Sequence, residues 1–468
     1  MSLPPRLELE ETGDIRVLAP APRREQLAWA LYDFANTIFS MNVVTLYFAV
    51  WFIQDLGGTA SDYALATSLS AALVALSVPI LGAISDAHRV RKPWVVAFTL
   101  GSCAATALIG ILGREAIPGA GAGPGLRILL LGAFVVANSC FQGALPFYNA
   151  MLPELAPPAA HGRLSGYGTA IGYVGAIAGV LLVAPFVTGG IPLLGDLSPE
   201  VVGFLRQLPF TAGGGRRAAF VPTALLFLTF ALPLFLLGRD HLPVPKSARR
   251  PLSLREPLKE VIAALRDTRH YPGLRRFVLA TYFYQDVLGT IVAFMAVYAV
   301  VVMGFEAGAE VTFFVALTVP AVAGSALTGH LVDRFGPHRT LLAVLVLWGL
   351  LLIAMVLAQS PGQFWIVGAL IGLVFGGVWA AERPLLLTLV PAAEAGRFFG
   401  LLVLSARAAA IGGPLLWALI VDRLGAPLGR PQAHRLAVLA LLGLVVVAII
   451  LLAGVPDRSP RARPRSGA

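Results

Sequence analysis

Charged residues are scarce in this sequence, and their scarcity argues against most classes of soluble protein. Asp, Glu, Lys and Arg make up only 13% of the 468 residues, whereas an ordinary soluble domain has about 25%. The 35 basic and 25 acidic side chains are too few to cover the outside of a soluble fold of this length. We therefore do not expect a soluble enzyme, a nucleic-acid-binding module or a secreted scaffold.

Cysteine, histidine and lysine are also rare. Cys103 and Cys140 lie inside apolar runs and are expected to be small core side chains, without a disulfide framework. The seven histidines have no metal-binding spacing, so no metal and no cofactor are predicted. A phosphate-binding P-loop needs Lys after Gly, but the lysines follow Arg, Pro and Leu (Lys92, Lys246 and Lys259). The chain by itself therefore cannot use ATP to drive transport. Any transport would be driven by a gradient, with protons as a candidate coupling ion, or would be facilitated exchange.

Long apolar runs are abundant. Hydrophobic residues make up 57% of the chain, and the mean hydropathy is +0.80. A membrane-spanning helix needs about 20 apolar residues, and an open strand cannot satisfy its backbone in lipid. The sequence therefore predicts an all-α integral membrane protein with twelve spans, at 27–53, 63–84, 94–112, 128–148, 164–187, 218–238, 277–303, 311–331, 340–358, 364–387, 398–420 and 436–454.

The distribution of Lys and Arg predicts the orientation. The two ends and the connections after even-numbered spans carry 26 of the 35 basic residues, and the opposite loops carry eight. Because basic loops stay in the cytoplasm, we expect both termini there, and loops 113–127 and 188–217 on the other side. The predicted parts are a tail (1–26), a six-helix bundle (27–238), a basic cytoplasmic linker (239–276), a second six-helix bundle (277–454) and a tail (455–468). The linker is either a solvated connection or a site for a regulatory partner.

Three motifs recur in the same order in the two predicted bundles. YDFANTI (32–38) is repeated as QDVLGTI (285–291), GAISD (82–86) as GHLVD (329–333), and PPAAHGRLSG (157–166) as PAAEAGRFFG (391–400). Each motif lies on the same helix of its half. Six spans repeated once is the internal symmetry of a secondary transporter, in which two bundles rock about a central site.

Two of these segments resemble the loop signature of the major facilitator superfamily. They are GAISDAHRVRK (82–92) and GHLVDRFGPHR (329–339), and the first has Ala87 where the signature has Arg. Within that superfamily, WALYDFAN (29–36), FYNAMLPELAPP (147–158) and YQDVLGTI (284–291) resemble the vacuole-effluxer-like branch. The resemblance implies the major facilitator fold, export of amino acids, and conformational roles for the loop residues Gly82, Asp86, Arg91, Gly329, Asp333 and Arg334.

Asp33 and Asp286 are two acidic residues well inside predicted spans. A carboxylate in hydrocarbon is costly and generally faces a cavity or a partner. Asn36 shares the helix face of Asp33, and Tyr282 lies near Asp286. The resemblance implies that spans 1 and 7 line the central cavity. These residues either handle protons and substrate or form hydrogen bonds between helices.

Asn138 and Gln142 in span 4 are four residues apart and therefore share a face. That face suits a polar or zwitterionic ligand, although hydrogen bonding between helices would give the same pattern.

Arg407 is predicted to lie deep in span 11, ten residues beyond Arg397. Ten helical residues correspond to about 15 Å of depth, and an isolated charge there would cost at least about 3 kcal/mol. We expect an anionic partner, with Asp286 favoured over a substrate carboxylate. Bonds to backbone carbonyls are the remaining alternative.

The combined interpretation is a secondary active transporter, not an enzyme, that moves a small solute by alternating access. Export of amino acids or related metabolites is expected. Efflux of drugs or sugars and a non-transporting scaffold or receptor are the alternatives. The expected partners are the lipid bilayer and a small-molecule substrate, without nucleic acid. We expect a monomer in the cell membrane, as in the bacterial inner membrane.

Overall fold

The computed structural model describes residues 7–9, 15–17, 19–115, 122–192, 194–241, 265–305, 309–409 and 412–458. Eleven helices in this part are long and apolar enough to cross a membrane. The remaining predicted span, 311–331, lies within the helix Ala309–Phe335. The all-α membrane architecture is confirmed, and most predicted boundaries agree closely: span 5, predicted at 164–187, is the helix His161–Thr188. The boundary between spans 11 and 12 was predicted less well, since span 11 ends at Leu428 instead of 420 and span 12 begins at Arg430 instead of 436.

Span 1 begins as the α-helix Arg23–Phe39 and continues through a π-helical segment, Ser40–Tyr47, a single α-turn, Phe48–Val50, and a second π-helical segment, Trp51–Asp55. Spans 2 to 6 are Ala60–His88, Lys92–Leu112, Pro124–Ala150, His161–Thr188 and Phe220–Leu237.

In the second half, spans 7 to 10 are Leu274–Met303, Ala309–Phe335, Pro337–Leu357 and Pro361–Leu389. Span 11 has two helical parts, Ala395–Ala409 and Gly412–Leu428, and span 12 is Arg430–Ala453.

The remaining elements are short. Two α-helices (Leu152–Leu155 and Pro199–Gln207) and four 3-10 turns (Gly113–Glu115, Pro158–Ala160, Arg216–Ala219 and Ala392–Glu394) lie between the spans. Leu7–Leu9 pairs antiparallel with Ile15–Val17, and Gly190–Ile191 pairs antiparallel with Gly195–Asp196. The middle of the predicted linker, 242–264, lies outside the described residues.

Each half has its own apolar core. In the first half, Phe48 of span 1 stacks on Phe134 of span 4 with ring centroids 4.2 Å apart. In the second half, Phe294 of span 7 stacks on Trp417 of span 11 at 5.0 Å. Large apolar side chains such as Leu65 and Ile366 are instead exposed on the outer faces of spans, which a bilayer would cover.

Glycines set how closely the helices of one half approach each other. A Cβ added at Gly175 of span 5 would lie 2.4 Å from the backbone oxygen of Phe34 in span 1. A Cβ at Gly372 of span 10 would lie 2.4 Å from the oxygen of Leu317 in span 8. Spans 1 and 5, and spans 8 and 10, therefore pack backbone to backbone, as small residues allow in membranes.

Candidate functional site

An ion pair joins the two halves inside the membrane-spanning region. The guanidinium of Arg383 in span 10 donates to Asp33 in span 1, with Nη1 2.9 Å from Oδ2 and Nη2 3.4 Å from Oδ1. The two side chains are only 12% and 6% exposed. Such a two-pronged contact fixes geometry as well as charge.

Aromatic rings surround the cation of this pair. The guanidinium carbon of Arg383 lies 5.7 Å from the Trp29 ring centroid and 5.6 Å from that of Tyr148. The two rings stack with centroids 4.6 Å apart, and the Trp29 indole N–H donates to the Tyr148 backbone oxygen at 3.0 Å. Arg383 thus belongs to the second half by sequence but is held by side chains of the first.

Polar atoms without partners lie around the ion pair. Oδ1 of Asn36, one turn beyond Asp33 on the same face, is buried and accepts no hydrogen bond among the described residues. The Tyr173 hydroxyl in span 5 is likewise buried without a partner, and it is within electrostatic reach of both Asp33 and Arg383. Buried polar atoms generally find a partner, so these atoms suit a ligand.

Sequence reasoning missed Arg383. The count of basic residues assigned it to the cytoplasmic connection after span 10, although it lies inside the predicted run 364–387. Its position within that run was the available signal. Arg383 and Asp33 are 350 positions apart, and no motif linked them.

Asp286 lies on span 7 against the second part of span 11. Its Oδ1 accepts the Gly413 backbone N–H at 2.7 Å, and the residue is 2% exposed. A Cβ added at Gly412 would lie 2.9 Å from Asp286 Oδ2 and 3.4 Å from the Tyr282 hydroxyl. Tyr282 and Asp286 therefore converge on this glycine, and their roles in binding or coupling stay predictions.

The expected ion pair between Asp286 and Arg407 is not formed, and that prediction was wrong. Ser405 and Gly413 both bond to span 7, which defines the face that span 11 turns toward it. Arg407 is two residues beyond Ser405, so its side chain leaves the helix about 200° away from that face. Nε of Arg407 is buried without a hydrogen-bond partner among the described residues.

Span 10 also contacts span 7 through Glu382. Its Oε2 accepts from the Tyr284 hydroxyl at 2.7 Å and from the Gln285 side-chain amide at 2.9 Å. Two consecutive residues of span 10 therefore contact different halves. Glu382 bonds to span 7 of the second half, and Arg383 pairs with Asp33 of the first.

The polar face of span 4 is partly satisfied within its own helix. Nε2 of Gln142 donates to Oδ1 of Asn138 at 2.9 Å, which confirms that the two side chains stack on one face. Oε1 of Gln142 is buried and has no hydrogen-bond partner in the described part of the chain. The roles of both residues in binding stay predictions.

Two carboxylates cap helices of the opposite half. Asp86, at the end of span 2, accepts the backbone N–H groups of Gly396 at 3.1 Å and Arg397 at 2.7 Å. Asp333, at the end of span 8, accepts those of Gly162 at 2.8 Å and Arg163 at 3.2 Å. A carboxylate at a helix N-terminus is stabilised by free N–H groups and by the helix dipole. We call these contacts the two latches.

The glycines of the loop signature allow the helices at each latch to meet. A Cβ added at Gly82 would lie 2.9 Å from the backbone oxygen of Gly396, and one at Gly329 would lie 2.6 Å from that of Gly162. A larger residue at either glycine would push span 2 from span 11, or span 8 from span 5.

Arg91 supports the first latch from a buried position. Its guanidinium pairs with Glu154 and, at 3.4 Å, with Asp86, and it donates to the Ala392 backbone oxygen at 2.7 Å. Arg91 thus supplies the cation that the signature would place at Ala87. In the second copy, Arg334 is exposed with its guanidinium over the Phe335 ring. There Arg163 pairs with Asp333 at 2.7 Å.

Both ends of the linker contact residues at or next to the first latch. The Asp240 carboxylate accepts the backbone N–H groups of Arg91 and Lys92 at 2.9 and 3.0 Å. At the other end, Asp267 pairs with Arg397 at 2.7 Å, and the Tyr271 hydroxyl donates to Glu394 at 2.7 Å. Burial and the Glu394 carboxylate raise the pKa of the Tyr271 phenol, which keeps it a donor.

These contacts close one end of the interface between the halves. The latches and the Asp33–Arg383 pair all join the first bundle to the second toward the end that carries the basic connections. In the part of the chain that the structure describes, no group of His, Cys, Asp or Glu is arranged to hold a metal ion.

Two six-span halves, latched at one end and joined by an intramembrane ion pair, define a membrane transporter of the major facilitator type. The chain belongs to the family described as "Vacuole effluxer Atg22 like", whose model matches residues 57–463. Members of this superfamily transport small solutes and are not enzymes.

Curated and solved relatives agree with this assignment. The chain is 25% identical over 443 residues to the uncharacterized MFS-type transporter YxiO of Bacillus subtilis, covering 93% of this chain and 96% of YxiO. The human organic anion transporter MFSD10 has the same fold, with a TM-score of 0.67 at 15% identity over 92% of this chain and all of that one. The E. coli fucose:proton symporter FucP gives 0.63 at 15% identity, over 92% and 97% of the two chains.

Proposed function

We propose that this chain is a secondary active transporter that exports small zwitterionic solutes, amino acids among them, by alternating access. The observation that carries the proposal is the buried Asp33–Arg383 pair, which joins the two halves where the central site is expected. A zwitterion has the two charges needed to replace both partners: its ammonium group can bind Asp33, and its carboxylate can bind Arg383.

Such an exchange would convert binding into movement. Removing one partner of a buried ion pair leaves the other charge unpaired, at a cost of about 3–5 kcal/mol. The halves therefore separate poorly as long as neither water nor a ligand reaches the pair. A ligand that pairs with both charges removes this cost, and the halves can then part at the closed end. Asn36 and Tyr173, with their unpartnered polar atoms, offer further hydrogen bonds to the bound solute.

The proposal includes an orientation and a setting. With both termini in the cytoplasm, the latched end faces the cytoplasm, and a bacterial inner membrane is the expected location. We propose a monomer and protons as the coupling ion. Efflux of drugs or sugars is the competing substrate class, and a transporter-shaped scaffold is the competing function.

Flux in proteoliposomes tests the function. Labelled amino acids should exchange across the membrane in the wild type. Analogues that lack one charge, an N-acetyl amino acid or an amino acid amide, should compete at least tenfold less well, since each loses an ion pair worth about 1.4 kcal/mol or more. Arg383→Gln should abolish the exchange.

Arg339→Gln is the matched control, because it removes an arginine from a pair with Asp457 whose side chains are 61% and 27% exposed. It should exchange like the wild type. Flux of sugars or drugs without amino acids would refute the substrate class. A folded protein without flux of any of these solutes would favour the scaffold.

A further inference from the structure

The two halves match in register around the ends of spans 4 and 10. The 3-10 turn Pro158–Ala160 and the start of span 5 at His161 correspond to the turn Ala392–Glu394 and the start of span 11 at Ala395. Each lies 234 residues before its counterpart, the separation already seen between the repeated motifs PPAAHGRLSG and PAAEAGRFFG. Positions in this region can therefore be paired one to one.

Spans 1 and 7 match as well. The Thr37 hydroxyl donates to the Asp33 backbone oxygen at 3.0 Å, and the Thr290 hydroxyl donates to that of Asp286 at 2.7 Å. The packing between spans repeats too. Tyr148 of span 4 packs on Tyr32 of span 1, and its counterpart Glu382 of span 10 bonds to the residues before Asp286 on span 7.

The residue after Glu382 is Arg383, which crosses to Asp33. The residue after Tyr148 is Asn149, which lies 234 positions before Arg383. Ala150 belongs to the apolar core of the second half, so this end of span 4 does reach across the interface. The repeat thus contains one charged cross-pair, Asp33 with Arg383, and a neutral amide, Asn149, at the position that corresponds to Arg383 in the other half. Oδ1 of Asn149 is buried without a partner among the described residues.

No protein cation compensates the Asp286 carboxylate in the part of the chain that is described. Span 7 and the elements packed against it carry several charged and titratable groups, and among the described residues no ion pair or side-chain hydrogen bond joins any of them to the Asp286 carboxylate. They are Arg275, Arg276, Tyr282, Tyr284 and Tyr298 of span 7, His330, Asp333 and Arg334 of span 8, Glu382 and Arg383 of span 10, Arg397, Arg407, Asp422 and Arg423 of span 11, and Arg430, His434 and Arg435 of span 12. Among them, Glu382 bonds to Tyr284 and Gln285, Arg383 pairs with Asp33, and His434 accepts from the Trp417 indole. An uncompensated carboxylate in a membrane is costly, and a bound proton removes that charge.

We infer that Asp286 carries the coupled proton, because the repeat supplies Asn149 where the other half supplies a cation. Asp33 has Arg383 as its counter-charge until a substrate replaces it, so it does not need a proton. Asp286 binds a proton from water on one side of the membrane and releases it on the other as the halves rock. The inference rests on the proposed transport function and assigns its coupling site.

Two readouts in proteoliposomes separate this inference from the proposed function. Exchange of labelled amino acid at equal pH reports transport alone, whereas accumulation under a pH gradient reports coupling. One proton exchanged per solute supports about tenfold accumulation per pH unit, because one unit is worth about 1.4 kcal/mol. Asp286→Asn should lose this accumulation and still exchange.

Asn149→Arg adds the missing cation and should hold Asp286 ionised, so that accumulation is lost as in Asp286→Asn. Asn149→Gln is the matched control and should accumulate like the wild type.

Several outcomes would overturn the assignment. The first is normal accumulation in Asp286→Asn. The second is that Glu382→Gln loses accumulation and Asp286→Asn does not. The third is accumulation that is driven by a sodium gradient in place of a proton gradient. A wild type without exchange would instead refute the proposed function itself.

Discussion

Breaking the Asp33–Arg383 pair should lower the ratio of latched to open molecules. The size of this shift follows from the burial and contacts of the pair. Arg383→Met keeps the length of the side chain and removes its charge. The Asp33 carboxylate, 6% exposed, then stays buried without a partner, which costs about 3–5 kcal/mol. The contacts to Trp29 and Tyr148 add roughly 0.5–2 kcal/mol each.

Part of this cost disappears when the halves separate, because water can then reach Asp33. If about 3 kcal/mol is relieved on opening, the ratio of latched to open molecules falls by roughly 100-fold. A protein that is latched in 99% of molecules would then be about half open, a change that is easy to measure.

Spin labels at Ala87 and Arg334 provide the assay. Both residues are exposed at the latched end, one on each half, and their separation can be measured by pulsed electron paramagnetic resonance. The wild type should show a single short distance, and Arg383→Met should add a longer one. The exposed pair of Arg339 provides the control, since breaking it should cost about 0–1 kcal/mol and leave the distances unchanged.

A double-mutant cycle completes the test. Asp33→Asn alone strands the guanidinium, and the double variant Asp33→Asn with Arg383→Met strands neither group. The double variant should therefore be less damaged than the sum of the singles, by about 1–3 kcal/mol. Strict additivity, or an unchanged distance distribution in Arg383→Met, would show that the pair does not hold the halves together.

Three further predictions follow from the packing and the sequence. Gly175→Ala should separate spans 1 and 5 and lower the thermal unfolding temperature in detergent, whereas Gly132→Ala should not, because nothing lies within 4 Å of its added Cβ; equal effects would contradict the backbone packing. Arg407→Leu should fold at least as stably as the wild type, since it removes a guanidinium whose buried Nε has no hydrogen-bond partner among the described residues; severe destabilisation in the same assay would reveal a partner. Arg250→Cys, in a background without the two native cysteines, should react with a membrane-impermeant thiol reagent only from the cytoplasmic side; labelling from outside would reverse the orientation.

The fold was largely predictable because it depends on patterns that are local in the sequence. Apolar runs predicted most of the span boundaries to within a few residues. The repeated motifs identified the two halves, and the structure places Asp86 and Asp333 in equivalent latches. Each of these signals depends on composition or spacing along one helix.

The site was only partly predictable, because its partners are chosen by rotation of one helix against another. Asp33 was identified from its cost in a membrane, but its partner Arg383 lies 350 positions away. Arg407 was correctly placed within span 11 and wrongly paired, since depth alone does not tell which way a side chain turns. Arg91 replaces a cation that the motif places four residues earlier, a substitution that only the folded loop makes evident.

The chemistry of the two latches determines which mutations the protein can tolerate at the closed end. In each latch, the carboxylate accepts from main-chain N–H groups, which belong to residues 396 and 397 in one latch and to residues 162 and 163 in the other. A mutation at 163 or 397 changes the side chain and leaves the main-chain donor in place, unless the new residue is proline. The carboxylates of Asp86 and Asp333 have no such protection, because one codon change removes each. Random mutagenesis under selection for transport should therefore keep the two aspartates, whereas substitutions at 163 and 397 should be tolerated better, because each loses one ion pair and keeps its main-chain donor.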